Sequence, residues 1–125
     1  MATTSTVQRV NEVRVIGRTS APPERKTLPS GDEVVLFRVV VPRATGRGAD
    51  TLPVAVGPAP ARGRPGPDQV GRRLLAQAER SQAGDQVEVR GELRRRWWSA
   101  GTGRASRIEI RATSVTVVDP ADVLT

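Results

Sequence analysis

Residues 84–98 read Gly-Asp-Gln-Val-Glu-Val-Arg-Gly-Glu-Leu-Arg-Arg-Arg-Trp-Trp, and this stretch decides the fold. Val87, Val89 and Leu93 are separated by charged residues, which predicts a strand with one apolar and one charged face. Gly91 interrupts the apolar series, as a glycine does where a strand bends sharply. Beyond Leu93 the alternation gives way to three arginines and two tryptophans. The stretch therefore predicts a strand that begins in a small β core and continues as a projecting binding arm.

The returning half of this hairpin follows a short run of turn-forming residues. A strand is predicted from Arg104 to Val118, with Ile108, Ile110 and Ala112 on one face. The apolar parity changes between Ala112 and Val115, which predicts a β-bulge or a strong twist at that point. Long bulged strands in a short all-β chain are typical of barrels.

Three strands are predicted upstream, at Asn11–Gly17, Glu33–Val41 and Leu52–Val56, and a short strand at Arg25–Leu28 accompanies the second. The second is apolar on both faces, which predicts cover on both sides, by the core and a helix or by a partner subunit. Pro53 indicates that the third strand is short or lies at a sheet edge.

One helix is predicted between the third and fourth strands, from its N-cap Asp68 to about Gln82, with Gly84 as the stop signal. Its buried stripe is predicted to contain Val70, Leu74, Leu75 and Ala78. The order of elements predicts an all-β OB-fold, a five-stranded Greek-key barrel with one α-helix between strands 3 and 4 and a long hairpin of strands 4 and 5. The domain plan is a flexible N-terminal arm at 1–10, the OB-fold domain at 11–119 and a short C-terminal tail at 120–125.

The amino-acid composition restricts the classes of function that are expected. The 125 residues include 20 basic and 13 acidic side chains, a formal net charge of +7, and all of the basic residues except Lys26 are arginine. Guanidinium groups pair with phosphates and stack on bases, so a nucleic-acid partner is predicted. Cysteine and histidine are absent and the carboxylates are scattered, so no catalytic residue, metal site, cofactor or small-molecule substrate is expected. No signal or membrane-spanning run is found, which predicts a cytoplasmic protein. With a nucleic-acid partner, it is expected to be associated with the nucleoid.

Three blocks of the sequence, within residues 11–118, resemble bacterial single-stranded DNA-binding proteins (SSB). The blocks are Asn11-x-Val13-x-Val15-Ile16-Gly17-Arg18, then Pro23-Glu24 and Ser30-Gly31 with Val35-x-Phe37-x-Val39-x-Val41, and finally Gly84-x-x-Val87-x-Val89-x-Gly91-x-Leu93-Arg94-x-Arg96-x-Trp98. The resemblance implies homo-oligomeric OB-folds that bind single strands without sequence preference by stacking bases on aromatic rings. Trp98 stands where the family carries one stacking tryptophan. The family's other stacking aromatics, its long linker and its acidic C-terminal tip are missing, which indicates a divergent paralogue.

The predicted nucleic-acid-binding residues lie in the arm and in one basic loop: Arg94, Arg95, Arg96, Trp97, Trp98, Arg43, Arg47 and Arg104. Two functions stay open. The first is binding of single-stranded DNA in replication, recombination or repair, with bases stacked on a hairpin tryptophan and arginines on the phosphates; RNA is an alternative ligand. The second is an OB-fold interaction or scaffold module that has lost strong DNA binding. In either case a homo-oligomer, a dimer or a tetramer, is expected.

Overall fold

The computed structural model describes residues 8–59, 69–80 and 82–118. Predicted features at 1–7, 60–68 (with the N-cap Asp68) and 119–125 lie outside these ranges. The described residues form six strands and one helix: β1 (Val13–Thr19), β2 (Glu24–Thr27), β3 (Glu33–Pro42), β4 (Ala49–Ala59), α1 (Gln69–Arg80), β5 (Gln86–Ala100) and β6 (Gly103–Val117).

Five of the strands close into a ring in the order β1-β5-β6-β4-β3, and β3 returns to β1. Residues Val13–Arg18 of β1 pair antiparallel with β5, and Arg18 and Thr19 also pair with β3. The parallel contact between β4 and β6 covers Val54–Val56. The short strand β2 is added at the outer edge of β3. This ring, with its helix between β4 and β5, is an OB-fold, which confirms the predicted fold class.

The core fills the inside of the ring. Its buried members are Val35, Phe37, Val39, Val54, Val56, Leu75, Ala78, Val87, Val89, Ile110, Ala112 and Val115. From the helix, Leu75 and Ala78 are fully buried and Leu74 packs against the cluster from a half-buried position, which confirms the predicted stripe at these three residues. The side chain of Val70, its fourth predicted member, lies outside the described part of the chain. Burying a leucine side chain stabilises the fold by about 1.5–3 kcal/mol. The helix is therefore held by its apolar stripe against β3, β4 and β6.

The predicted bulge is present. Arg90 pairs with Ser114 and Gly91 pairs with Ala112, which leaves Thr113 as the extra residue of β6. The Thr113 hydroxyl donates a hydrogen bond to the Arg90 carbonyl at 3.2 Å. Directly beside the bulge, a Cβ atom at Gly91 would lie 2.0 Å from the carbonyl oxygen of Arg111. Glycine is therefore required where the hairpin bends out of the barrel.

Strand β4 differs from its prediction as a short or edge strand. It has eleven residues and lies between β3 and β6. Pro53 is tolerated because the pairing with β6 begins one residue later, at Val54, so on that side no ladder hydrogen bond is required from position 53. Strand β1 also begins and ends two residues later than predicted.

The turn between the helix and β5 is fixed to the end of β1. The helix ends at Arg80 instead of Gln82, and Gly84 adopts a φ of 90° in the turn that follows. The Gly84 N–H donates to the Thr19 carbonyl at 2.8 Å, and the Thr19 N–H donates to the Asp85 carbonyl at 2.9 Å. Gly84 therefore shapes the entry to β5 and not the last turn of the helix.

The two faces of β3 are covered to different extents. Val35, Phe37 and Val39 point into the core, and Val34 is buried on the opposite, outer face. Leu36, also on the outer face, is half-exposed. The predicted cover on both sides is thus provided within one chain at Val34, whereas Leu36 lies in an open cleft.

Ion pairs hold the outer elements to the barrel. Arg25 of β2 pairs with Glu79 of the helix, and with Glu33 of β3 at 3.1 Å. The hydrogen bond from Arg25 lowers the pKa of Glu79. Glu88 of β5 accepts hydrogen bonds from Arg14 and Arg90, and both lower the pKa of its carboxyl group. The bond from Arg14 has the larger effect.

Candidate nucleic-acid interface

Beyond Gly91, β5 and β6 continue as a two-stranded arm. Their pairing runs without interruption from Leu93 with Ile110 to Ala100 with Gly103. Gly101 and Thr102 make the turn, and Gly101 has a φ of 57°, as the first central residue of a type II′ turn requires. All residues of β5 from Leu93 to Ala100 are exposed. The hairpin therefore leaves the barrel, as the sequence predicts.

Directly paired residues of antiparallel strands share a face, so the register divides the arm into two faces. The cleft face carries Arg94, Arg96, Trp98, Ala105, Arg107 and Glu109, and the Trp97 face carries Leu93, Arg95, Trp97, Ser106 and Ile108. Leu93 and Ile108 keep the parity of the core residues, as predicted. They are nevertheless 46% and 48% exposed, because the arm has already left the barrel at their level. The interpretation of both as core-facing residues is therefore corrected.

Trp97 is held by cations of its own hairpin. The guanidinium carbon of Arg104 lies 4.7 Å from the centroid of the Trp97 ring, and that of Arg95 lies at 5.8 Å. Arg95 also donates to the Ser106 hydroxyl at 2.9 Å. The contact of Arg104 with Trp97 and the hydrogen bond from Arg95 to Ser106 join the two strands of the arm. Trp97 is still 53% exposed, so it remains on the surface.

Trp98 lies on the cleft face and is 41% exposed. Its cross-strand partner is the small residue Ala105, and Arg96 precedes it on the same face. Both cation–ring contacts among the described residues belong to Trp97. The Trp98 ring is therefore free of the guanidinium groups that occupy its neighbour, and it can offer a face to a planar ligand.

The arginines of the cleft face meet two carboxylates. Arg94 bonds to Glu92 at 2.9 Å, two residues earlier on the same strand. Arg96 Nη1 and Arg107 Nε lie 3.9 Å and 3.7 Å from Glu109 Oε1, longer than a hydrogen bond. Both guanidinium groups are about half-exposed, so they can reach a ligand.

The cleft face continues onto the outer surface of the barrel. Ala55 pairs with Leu36 on one side and with Arg111 on the other, and all three point away from the core. A cleft of about 260 Å³ lies there, with Leu36 and Ala55 among its apolar residues and Arg96 and Arg111 among its cations.

A second cleft, of about 360 Å³, adjoins the first and shares Leu36 with it. Its walls include Pro53 and three cations, Lys26, Arg38 and Arg107. Sequence reasoning missed Arg38, Arg107, Arg111 and Lys26, because it considered arginine runs and loops. Arg38 and Arg111 each lie between two core residues of their strands, which was a usable signal of an outward-facing position. Only the strand register brings all four residues to one surface.

Two predicted residues belong to the loop between β3 and β4. Since β4 and β6 are parallel, this loop and the turn of the arm emerge at the same end of the sheet. Arg43 is paired with Asp50 at 3.1 Å, while Arg47 makes no ion pair with a described residue. Within residues 8–59, 69–80 and 82–118 no hydrogen bond joins this loop to the arm. The structure thus assembles Arg94, Arg95, Arg96, Trp97, Trp98 and Arg104 in one arm and leaves Arg43 and Arg47 separate.

Clusters of acidic side chains and long apolar helices would indicate other kinds of function. In the described part of the chain, no group of three or more acidic side chains is placed to hold a metal ion. None of the described helices combines the length and apolarity needed to cross a membrane.

The closed five-stranded ring, the helix between β4 and β5 and the cationic arm define an OB-fold protein with a basic surface on its arm. No family model and no curated protein matches the sequence. Among solved structures, the chain is similar to the SSB of Plasmodium falciparum in its complex with ssDNA, with a TM-score of 0.66 and 19% sequence identity. The match covers 92% of this chain and 100% of that chain. At this identity the likeness shows the fold.

Proposed function

We propose that this protein binds single-stranded DNA without an overall sequence preference. Single-stranded RNA is the alternative ligand. The observation that carries the proposal is the open Trp98 ring, which shares one face of the arm with Arg94, Arg96 and Arg107. A single strand offers unpaired bases that stack on a ring and phosphates that meet guanidinium groups. A duplex offers no unpaired base, so it should compete poorly.

The two adjoining clefts support a path for the strand across the barrel. OB-folds commonly bind oligonucleotides on the face that β3 and β4 provide here. In this chain that face has the aliphatic residues Leu36, Pro53 and Ala55 in place of aromatic ones, with Arg38 and Arg111 beside them. The Plasmodium protein of similar fold was solved with ssDNA, which supports the same class of ligand for this chain. The proposed contact residues remain the arm arginines and tryptophans, with Arg43 and Arg47 as the outer phosphate contacts.

Binding should depend steeply on salt, because cations outnumber stacking rings on this surface. For single strands, log K falls with log salt by about 0.7 per phosphate contact. Titration of tryptophan fluorescence with oligo-dT at several salt concentrations measures the slope, and a duplex of equal length is the competitor. We expect strong quenching at low salt and a slope of several units. Absence of binding at low salt would overturn the proposal, and tight binding with a shallow slope would assign the affinity to stacking.

Assembly into a dimer or tetramer of twofold symmetry is part of this proposal. Residues Val13–Ile16 of β1 pair with β5 on one side, and the contact with β3 begins at Arg18. No described residue pairs with the other edge of this segment, and exposed edges of this kind are commonly paired or covered. Light scattering at concentrations of about tens of micromolar tests this, and a monomer would contradict it.

An interaction module is the second candidate, and the Trp97 face favours it. Leu93, Trp97 and Ile108 are exposed large apolar residues on the face of the arm opposite the cleft face. Such a surface is typical of protein contacts. If oligo-dT fails to bind while Ile108→Asp changes the oligomeric state, the interaction function is supported.

The cellular setting that we propose for the first candidate, binding of single-stranded DNA, is replication, recombination or repair in the cytoplasm, at the nucleoid.

A further inference from the structure

Glu109 is a buried acidic residue on the cleft face, where Arg94, Arg96 and Arg107 also lie. It is 7% exposed, and its Oε1 atom receives no hydrogen bond from any described residue. The cations nearest to that oxygen, Arg107 Nε at 3.7 Å and Arg96 Nη1 at 3.9 Å, contribute loose ion pairs. Arg94, which is directly opposite Glu109 in the register, bonds instead to Glu92. A buried acceptor without a donor is costly, so it needs an explanation.

The position of the carboxylate suggests what supplies the missing donor. Glu109 lines the 260 Å³ cleft together with Leu36, Ala55 and Arg111, at the base of the arm. Phosphates carry no N–H donors and would be repelled by a carboxylate, whereas the edges of nucleobases carry amino and imino groups. A base resting on the aliphatic residues of this cleft would bring such an edge toward the carboxylate.

We propose that Glu109 is a base-reading residue that accepts hydrogen bonds from the amino and imino edge of one nucleobase, and that guanine fits best. Guanine presents two adjacent N–H donors, N1–H and the N2 amino group, to a carboxylate. Thymine presents one imino donor between two carbonyl oxygens, which repel a carboxylate. The inference rests on the proposed function and refines it, because most of the bound strand is held without preference and one nucleotide is selected.

The two neighbouring arginines take part in this selection. Oε1 is covered in the free protein, where Arg96 and Arg107 stand beside it without hydrogen bonding to it. When the same arginines turn toward phosphates, they uncover the carboxylate, and the base edge replaces them as its partner. Charge-assisted hydrogen bonds of this kind are shorter and stronger than neutral ones.

The test compares short oligomers of about 16 nucleotides: oligo-dT, the same oligomer with one central dG, and the same oligomer with deoxyinosine at that position. Deoxyinosine keeps N1–H and lacks the N2 amino group. For the wild type we expect the dG oligomer to bind roughly tenfold more tightly than oligo-dT, with deoxyinosine between them. A single dG also avoids assembly of guanine-rich strands, so the comparison reports on the base edge.

The matched variants are Glu109→Gln and Glu92→Gln. Glu109→Gln should lose the preference for dG, mainly because oligo-dT binds more tightly once the carboxylate that repels thymine is gone, whereas Glu92→Gln, a more exposed carboxylate of the same face, should keep that preference. Thermal melts accompany both variants, and if Glu109→Gln does not fold, Glu109→Asp, which keeps the carboxylate but shortens its reach, replaces it and should reduce the preference for dG.

Three outcomes would contradict the base-reading role of Glu109 or the proposed function. Equal binding of all three oligomers by the wild type overturns it and leaves the proposed function intact. If Glu109→Gln binds every oligomer more tightly by the same factor, Glu109 is a counter-ion of Arg96 and Arg107 and not a base reader. Failure of every oligomer to bind the wild type at low salt overturns the proposed function itself.

Discussion

The side-chain amide of Asn11 and the backbone of Leu93 exchange two hydrogen bonds. Asn11 Nδ2 donates to the Leu93 carbonyl at 2.9 Å, and the Leu93 N–H donates to Asn11 Oδ1 at 2.8 Å. The last backbone pair between β1 and β5 is Val13 with Gly91. Asn11 therefore continues the ladder with its side chain for one further step, and it fixes the base of the arm to the barrel.

Removing this contact should loosen the base of the arm. For Asn11→Ala we expect the free energy of unfolding to fall by about 1 kcal/mol, because two exposed hydrogen bonds are lost. Exchange of the Leu93 amide hydrogen should become faster, and this can be measured by NMR. Gln8→Ala, an exposed neighbour, serves as the control. Unchanged exchange at Leu93 would show that the arm is held by the β5–β6 pairing alone.

Gly91→Ala should be strongly destabilising. The new methyl carbon would lie 2.0 Å from the Arg111 carbonyl oxygen and 2.9 Å from the Cα of Ala112, so the backbone of the hairpin must shift. We expect a loss of about 3 kcal/mol or more. Gly103→Ala is the matched control, since no atom beyond the adjoining residues lies within 4 Å of its added carbon. Chemical denaturation of both variants measures the difference, and similar stabilities would mean that the bend adapts.

The two tryptophans should have different roles: Trp98 binds the single strand, and Trp97 stabilises the arm. Trp98→Ala should weaken oligo-dT binding by about 1–3 kcal/mol, as loss of one base–aromatic stack does, with little effect on the melting temperature. Trp97→Ala should cost about 0.5–1 kcal/mol of stability, because the cation–π contacts with Arg95 and Arg104 are lost. Titrations and thermal melts on both variants decide between the roles. An exchange of roles would place the stacking ring on the Trp97 face.

Acid should weaken the link between β2 and the helix. Arg25 lowers the pKa of Glu79 below its ordinary value of 4.5, so the folded state binds this proton less readily than the unfolded state. The stabilising contribution is present above about pH 4.5 and is lost as the pH falls through the lowered value. Glu79→Gln should therefore lose less stability than the wild type on acidification. The effect is small, about 0.2–1 kcal/mol, because the pair is partly exposed.

Thermal melts between neutral pH and about pH 3 measure that effect. Glu12→Gln is the control, because Glu12 makes no ion pair with a described residue. If Glu79→Gln and the wild type lose stability in parallel, the ion pair with Arg25 does not contribute to the acid response.

Much of the fold could be predicted because its signals are local. The alternation at Val87 and Val89 and the change of parity between Ala112 and Val115 each report the local environment of a strand, and the structure confirms a buried strand and a bulge at these places. Leu93 and Ile108 show the limit. Their parity is correct, but parity alone does not tell where a strand leaves the barrel, so both are exposed instead of buried.

The order of the elements, the bend at Gly91 and the cluster of arginines beside two tryptophans could all be read from the sequence alone. Each of them depends on residues that are close together in the chain. Tertiary structure decided which residues share the proposed binding surface. Leu36, Ala55 and Arg111 lie on three different strands, and Glu109 becomes a buried carboxylate only when β6 pairs with β5 beside β4. Such neighbours are fixed by strand register, and a shift of one residue would turn each of them to the opposite face.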